Sequence, residues 1–126
     1  MREIKFRGKR LNGRLKFNKS ITRLENGSVR LGGYAVIPET VGQYTGLTDK
    51  NGVEIYEGDI LIDVEFDENN NDISGKFPVV YDSSKCQFAI DNSFKKDGSS
   101  LVNFIEYFGV ENLKIVGNIH DNPELL

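Results

Sequence analysis

Three Asn-Gly pairs, Asn12-Gly13, Asn26-Gly27 and Asn51-Gly52, constrain this 126-residue chain more than any other feature. Asn-Gly suits type I′ turns, whose two central residues both need positive φ, and it is the strongest short-range signal for a β-hairpin. A two-residue turn at Asn12-Gly13 sets Leu11 opposite Arg14 and, counting back along both strands, Phe6 opposite Lys19. One face of that ribbon then carries Ile4, Phe6, Leu15, Phe17 and Ile21, interrupted by Arg10 and Lys19. The other carries Lys5, Arg7, Lys9, Arg14, Lys16, Asn18 and Ser20, with Leu11 as the exception. The expectation is an apolar side that faces a core and a basic side that faces outward. Around Asn26-Gly27 the same construction pairs Leu24 with Val29 and Thr22 with Leu31. It also sets Arg23 against Arg30 and moves the apolar face off Ile21, which predicts a bulge or bend near residues 21–23.

The basic ribbon belongs to a sharp division of charge. Residues 1–33 hold ten basic and two acidic side chains, a net of +8, while residues 34–126 hold six basic and seventeen acidic ones, a net of −11. The total of −3 conceals this. Such asymmetry points to a polyanion or to a complementary protein surface as partner.

Further along, Gly42 to Leu47 and Val53 to Tyr56 flank Thr48-Asp49-Lys50-Asn51-Gly52. That connection is too long for a bare two-residue loop and fits a type I turn closed by Gly52. After Gly58-Asp59, Ile60, Ile62, Val64 and Phe66 alternate with Asp59, Leu61, Asp63 and Glu65, which predicts a strand with the first set facing the core. Asp67 to Asp72 is a polar loop. Lys76 to Asp82 and Cys86 to Asp91 form a further hairpin, with Phe77, Val79, Tyr81, Cys86, Phe88 and Ile90 on one side. Three strands in succession suggest a small SH3-like barrel. Leu101, Phe104, Ile105 and Phe108 stand at helical spacing between a Ser99 or Ser100 cap and Gly109, predicting one short helix. Lys114 to Ile119 returns to strand, and Asn122 to Leu126 adds a helical turn. The expected fold is mainly β: N-terminal hairpins, a small SH3-like barrel-type region and one short helix near the C-terminus. Length fits a single domain over residues 1–126, with a subdivision into 1–42 and 43–126.

Cys86 is the sole cysteine and His120 the sole histidine, so the chain forms no internal disulfide and has no closed zinc site. With no secretory pattern behind Met1 and no apolar run of membrane-spanning length, a cytoplasmic setting is expected.

Three stretches carry a resemblance. The central Gln43-Tyr44-Thr45-Gly46-Leu47, with Asp49-Lys50-Asn51-Gly52 and Glu54-Ile55-Tyr56-Glu57-Gly58-Asp59-Ile60, is similar to the central motif of the YopX family of phage and prophage proteins. The opening Met1-Arg2-Glu3-Ile4-Lys5-Phe6-Arg7 and the ending Val116-Gly117-Asn118-Ile119-His120-Asp121-Asn122-Pro123-Glu124-Leu125 resemble that family's two ends. A commoner opening continues with Ala-Trp-Asp, where this chain has Gly8-Lys9-Arg10. The resemblance implies a small phage- or prophage-encoded protein working in the bacterial cytoplasm, and it supplies no activity or catalytic residues to carry over.

No catalytic constellation stands out, no cofactor or small-molecule substrate is indicated, and the expectation is a protein that is not an enzyme. Asp59, Asp63 and Glu65 could suggest a metal-dependent nuclease. Residues two apart on a strand, however, are separated by about 6.6 Å, so a solvated strand face is the simpler reading. Tyr44 and Tyr56 could stack bases, but cross-strand packing is simpler. The candidate interaction face is Lys5, Arg7, Lys9, Arg14 and Lys16. Docking to a protein, a second copy in a homo-oligomer or a host or phage protein, is favoured over nucleic acid, because the acidic remainder of the chain repels phosphates.

Overall fold

The computed structural model describes residues 3–63, 66–72, 74–83, 87–91, 101–103 and 113–126. The chain divides into two compact units, Met1–Gly46 and Leu47–Leu126. Both are built from antiparallel strands, so the mainly β expectation holds.

In the first unit, β1 (Phe6–Lys9) lies between β2 (Leu15–Asn18) and β6 (Gly42–Thr48). A second sheet is the meander β3 (Ile21–Arg23), β4 (Val29–Leu31) and β5 (Tyr34–Val36). Val29, Leu31 and Val36 form the small core, with Phe6, Ile21 and Val41 packed against it. Gly8 makes this approach possible: a Cβ there would stand 3.1 Å from Val36 Cβ and 3.2 Å from Leu31 Cδ1. A 3-10 turn at Pro38–Thr40 is pinned to β1, since Thr40 Oγ1 accepts the Lys9 N–H at 2.8 Å and donates to Ile37 O at 2.6 Å.

The first two Asn-Gly turns are not the two-residue turns expected. Arg10 N–H donates to Arg14 O and Gly13 N–H to Arg10 O, giving a loop of three residues, Leu11-Asn12-Gly13. Gly13 takes a φ of 84° while Asn12 stays at negative φ, the signature of a type I turn followed by a G1 bulge. The register is consequently Phe6↔Asn18, Arg7↔Phe17, Gly8↔Lys16 and Lys9↔Leu15. A slip of one residue moves every side chain of one strand to the other face. Leu24-Glu25-Asn26-Gly27-Ser28 repeats the geometry, so Thr22 faces Arg30 and Arg23 faces Val29. The like-charge pair of Arg23 and Arg30 does not arise, and β3 pairs without the bend expected near residues 21–23.

In the second unit, β7 (Glu54–Tyr56) precedes a five-stranded sheet. Its members are β8 (Asp59–Asp63), β9 (Gly75–Asp82), β10 (Gln87–Asp91), β11 (Leu101–Asn103) and β12 (Lys114–Asn118), in the order β11-β10-β9-β8-β12. The core is Ile55, Leu61, Phe77, Val79, Phe88 and Leu113, with Ile115 beside it. Tyr81 meets Phe88 edge to face at 5.3 Å, so this hairpin shares the side expected for it; Cys86 lies outside the described residues.

The structure departs from the sequence-based expectation in three places. The sheet is an open row, and among the described residues no pairing joins β11 to β12 to close an SH3-like barrel. Leu101–Asn103 pairs with β10 as a strand rather than starting a helix. A helix of two or three turns has little stability of its own, and sheet hydrogen bonds outweigh a four-residue apolar pattern. The rest of that segment lies outside the described residues, where the helical turns observed are the 3-10 turns Pro38–Thr40 and Pro123–Leu125. Finally, β8 buries Leu61 in the core as well as Ile60, while Phe66 is 58% exposed. Strand β8 is paired along both edges, by β9 and β12, and sets Leu61 opposite the buried Phe77 and Ile60 opposite the buried Pro78, so both of its faces carry packed side chains.

Candidate interaction face

The register of the β1-β2 ribbon decides which side chains stand together. One face carries Arg7 and Lys9 with Phe17 and Leu15 across from them, and Lys5 and Lys19, just beyond the strands, meet at Glu3; Phe6, Gly8, Lys16 and Asn18 lie on the other. The five basic residues expected to share a face are therefore divided, with Arg14 and Lys16 turned to the opposite side. Leu15 and Phe17, expected in the core, are 45% and 49% exposed. The physical cause is the third loop residue.

The cations differ in what surrounds them. Arg7 is buried. Lys16 Nζ lies 4.3 Å from the centre of the Tyr34 ring, with the Arg10 guanidinium 4.7 Å from the same ring, so two positive charges are held by cation–π attraction. Lys5 Nζ stands 4.9 Å from the Tyr44 ring centre and 3.5 Å from Glu3 Oε2. Lys19 Nζ reaches Glu3 Oε1 at 3.1 Å. The hydrogen bond from Lys19 and the charge of Lys5 hold the Glu3 carboxyl below its ordinary value of 4.5. A shallow pocket of about 400 Å³ lies here, lined by Glu3, Lys5, Phe17, Asn18 and Lys19. The outcome is an exposed patch of Phe17 and Leu15 beside Lys5, Lys9 and Lys19, in which apolar and basic groups are mixed.

The remaining candidates are structural in what they touch. Tyr44 and Tyr56 are both buried and present no platform to a base. Asp59 is 2% exposed, and its Oδ2 accepts the Tyr56 N–H at 2.8 Å. It fixes the turn between β7 and β8, where Gly58 takes a φ of 94°. Asp63 pairs across to Gly75, and Glu65 lies outside the described residues. Among the described residues no group of three or more His, Cys, Asp or Glu side chains could hold a metal ion. His120 is exposed, with its N–H donated to Asn118 Oδ1 at 3.0 Å.

Sequence reasoning missed Asp49 as a buried anion. It is 5% exposed; Oδ1 accepts the N–H groups of Asn51 and Val53 at 2.8 and 3.0 Å, and Oδ2 accepts the Ile115 N–H at 3.1 Å. Burial pushes its carboxyl up, but the hydrogen bonds from Ile115, Val53 and Asn51, with the charge of Lys114, outweigh it and leave the group below 3.8. The signal lay in the type I reading of this turn: its first position favours Asp. Asp67 is built the same way, accepting from Asn69 and Asn71 at 2.8 and 2.9 Å, with Asn70 at a φ of 62° in place of the glycine.

Comparison with protein families matches residues 3–126 to the YopX family, described as YopX protein. Among curated proteins nothing matches. Among solved structures, the crystal structure of protein EF1440 from Enterococcus faecalis is similar. It has a TM-score of 0.55 and 25% sequence identity, and the match covers 100% of this chain and 99% of that one. No helix of the described residues is long and apolar enough to cross a membrane.

Proposed function

The chain belongs to the YopX family, and from that premise we propose that it is a phage- or prophage-encoded binding module of the bacterial cytoplasm that acts through protein–protein contacts at its β1-β2 ribbon. The observation that carries this reading is the exposure of Leu15 and Phe17 on the same face as Lys5, Lys9 and Lys19. Protein interfaces favour aromatic groups at their centre and charges at the rim. Nucleic-acid faces are instead dominated by cations open to phosphate, with base contacts added.

Nucleic acid, the alternative partner for Lys5, Arg7, Lys9, Arg14 and Lys16, fits less well. Those residues are split between two faces, Arg7 is buried and Lys5 is engaged by Glu3. The test is site-specific photo-crosslinking in cells with the probe at Leu15, and with a control probe at Tyr34, which is also exposed. The expected result is a covalent protein adduct from Leu15 and none from Tyr34. Retention of duplex or single-stranded DNA on filters at low salt, lost in a Lys5→Glu/Lys9→Glu variant, would replace this reading with the nucleic-acid one.

A further inference from the structure

The second unit presents a feature of complementary chemistry. Phe66 and Asp72 form an isolated bridge closed by the Asp67–Asn71 turn. At this tip Phe66 is 58% exposed, and Glu68 and Asp72 are exposed beside it. Asp67 and Asp72 hold the turn together through backbone N–H groups of Asn69, Asn71 and Ser74. The result is a compact hairpin tip with one phenyl ring and a carboxylate of Glu68 turned to solvent. The ribbon in the first unit offers the converse: an exposed phenyl ring, an exposed leucine and the ammonium groups of Lys5 and Lys19.

We infer that the partner of the ribbon is a second copy of this chain, whose Phe66–Asp72 tip docks onto Phe17 and Leu15 with Glu68 directed to Lys19. The inference rests on the proposed protein-binding role of the ribbon and goes further by naming the occupant. Two features argue for it. The chain separates its charge, with ten basic and three acidic residues in Met1–Gly46 against six basic and sixteen acidic in Leu47–Leu126, so unlike units of two copies attract. The ribbon also already holds a carboxylate between Lys5 and Lys19, that of Glu3. The Lys19–Glu3 pair is exposed, and exposed ion pairs are weak and readily exchanged. Glu3 therefore acts as an internal competitor that an incoming carboxylate displaces.

Sedimentation velocity on the full chain at low salt tests this. The wild type is expected to self-associate and to dissociate as salt rises. Phe17→Asp and Phe66→Asp are each expected to weaken association by about tenfold or more, as loss of a central aromatic does. Glu3→Gln is expected to strengthen it. Lys19→Glu and Glu68→Lys should each fail to self-associate, yet a mixture of the two should form a heterodimer, because the reversed charges match again. Far-UV circular dichroism checks that each variant is folded. Failure of the mixture to associate, or wild-type association in Phe66→Asp, overturns the inference. The photo-crosslinking adduct separates this failure from that of the proposed function. An adduct twice the mass of this chain supports the second copy. An adduct with another protein alone overturns the second copy and leaves the protein-binding role standing, and absence of any adduct removes both.

Discussion

In the first unit the Asn12-Gly13 turn stands at the end of an exposed ribbon, whereas in the second the Asn51-Gly52 turn is tied into the sheet through Asp49. The local geometry is the same: a three-residue loop, a hydrogen-bonded pair at its base, and positive φ at the glycine alone. In the first turn the stabilising side chain is Asn12, whose Oδ1 accepts the exposed Arg14 N–H at 3.0 Å. In the second it is a buried carboxylate that reaches 66 residues along the chain to Ile115. One turn type thus serves an exposed ribbon and a fixed corner of a core. The difference lies in where the chain places its acid and its aromatics.

Cores sharpen that contrast most. Phe77 is fully buried among Ile55, Leu61, Val79, Phe88 and Leu113, and Phe77→Ala is expected to cost about 3–5 kcal/mol through lost burial and the cavity left behind. Phe17, half exposed in the ribbon, should change stability by less than about 0.5 kcal/mol when replaced by Ala, as is usual for a surface site. Urea unfolding monitored by circular dichroism measures both. A large loss from Phe17→Ala would mean that the ribbon face is a core after all.

Next comes the anion. Asp49→Ala leaves three backbone N–H groups, two in the turn and one on β12, without their charged acceptor, and is expected to cost about 2–3 kcal/mol. Asn12→Ala, which removes one acceptor from an exposed N–H, should cost about 0.5–1 kcal/mol. The two also differ in pH dependence. Because the folded Asp49 carboxyl sits below its ordinary 3.8, the unfolded chain takes up its proton first as pH falls. The contribution is fully present above that value and disappears as pH drops through the lower folded one. The gap in urea midpoint between wild type and Asp49→Asn should therefore be constant at neutral pH and narrow below about pH 4.

Glycine replacements probe the shared geometry itself. Gly13→Ala and Gly52→Ala place a Cβ at a φ of 84° and 80° with open space or only the Lys9 tail nearby, so each should cost about 1–2 kcal/mol from backbone strain. Asn at the same positions should cost less, as Asn70 does the same task at a φ of 62°. Equal losses for Ala and Asn would show that steric contact rather than φ sets the requirement.

Much of this architecture was legible because hairpins announce themselves locally. Asn-Gly and Asp-to-Gly spacings placed the turns, and period-two alternation placed β9, β10 and β12 within a residue or two. The parity of the first ribbon was not legible, because Asn-Gly fits two turn types whose registers differ by one residue, and only packing selects between them. Phe6 and Gly8 reach Val36 and Leu31 in the observed register. The type I reading applied to Asp49–Gly52, extended to Arg10–Gly13 and Leu24–Gly27, would have placed Leu15 and Phe17 correctly. Residues 101–103 misled for a different reason, since an apolar residue that begins a run at helical spacing cannot report that β10 pairs with residues 101–103.

The smallest expected effect follows from that ambiguity. Deleting Leu11 leaves Asn12-Gly13 as a two-residue loop between Arg10 and Arg14, which already face each other as a hydrogen-bonded pair. The shortened loop closes as a type I′ turn, with Asn12 moving to positive φ at small cost, since Asn tolerates that region. Leu11 is 84% exposed, so no packing is lost. The register of β1 and β2 is then unchanged, Phe6 and Gly8 keep their contacts, and the unfolding free energy from urea titration should stay within about 0.5 kcal/mol of wild type. Deletion of Phe17 instead would shift the strand beyond it by one residue and carry Asn18 to the opposite face. If removal of Leu11 costs several kcal/mol, the loop rather than the packing of Phe6 and Gly8 fixes the ribbon, and the division of Lys5, Arg7 and Lys9 from Arg14 and Lys16 is a property of that one turn.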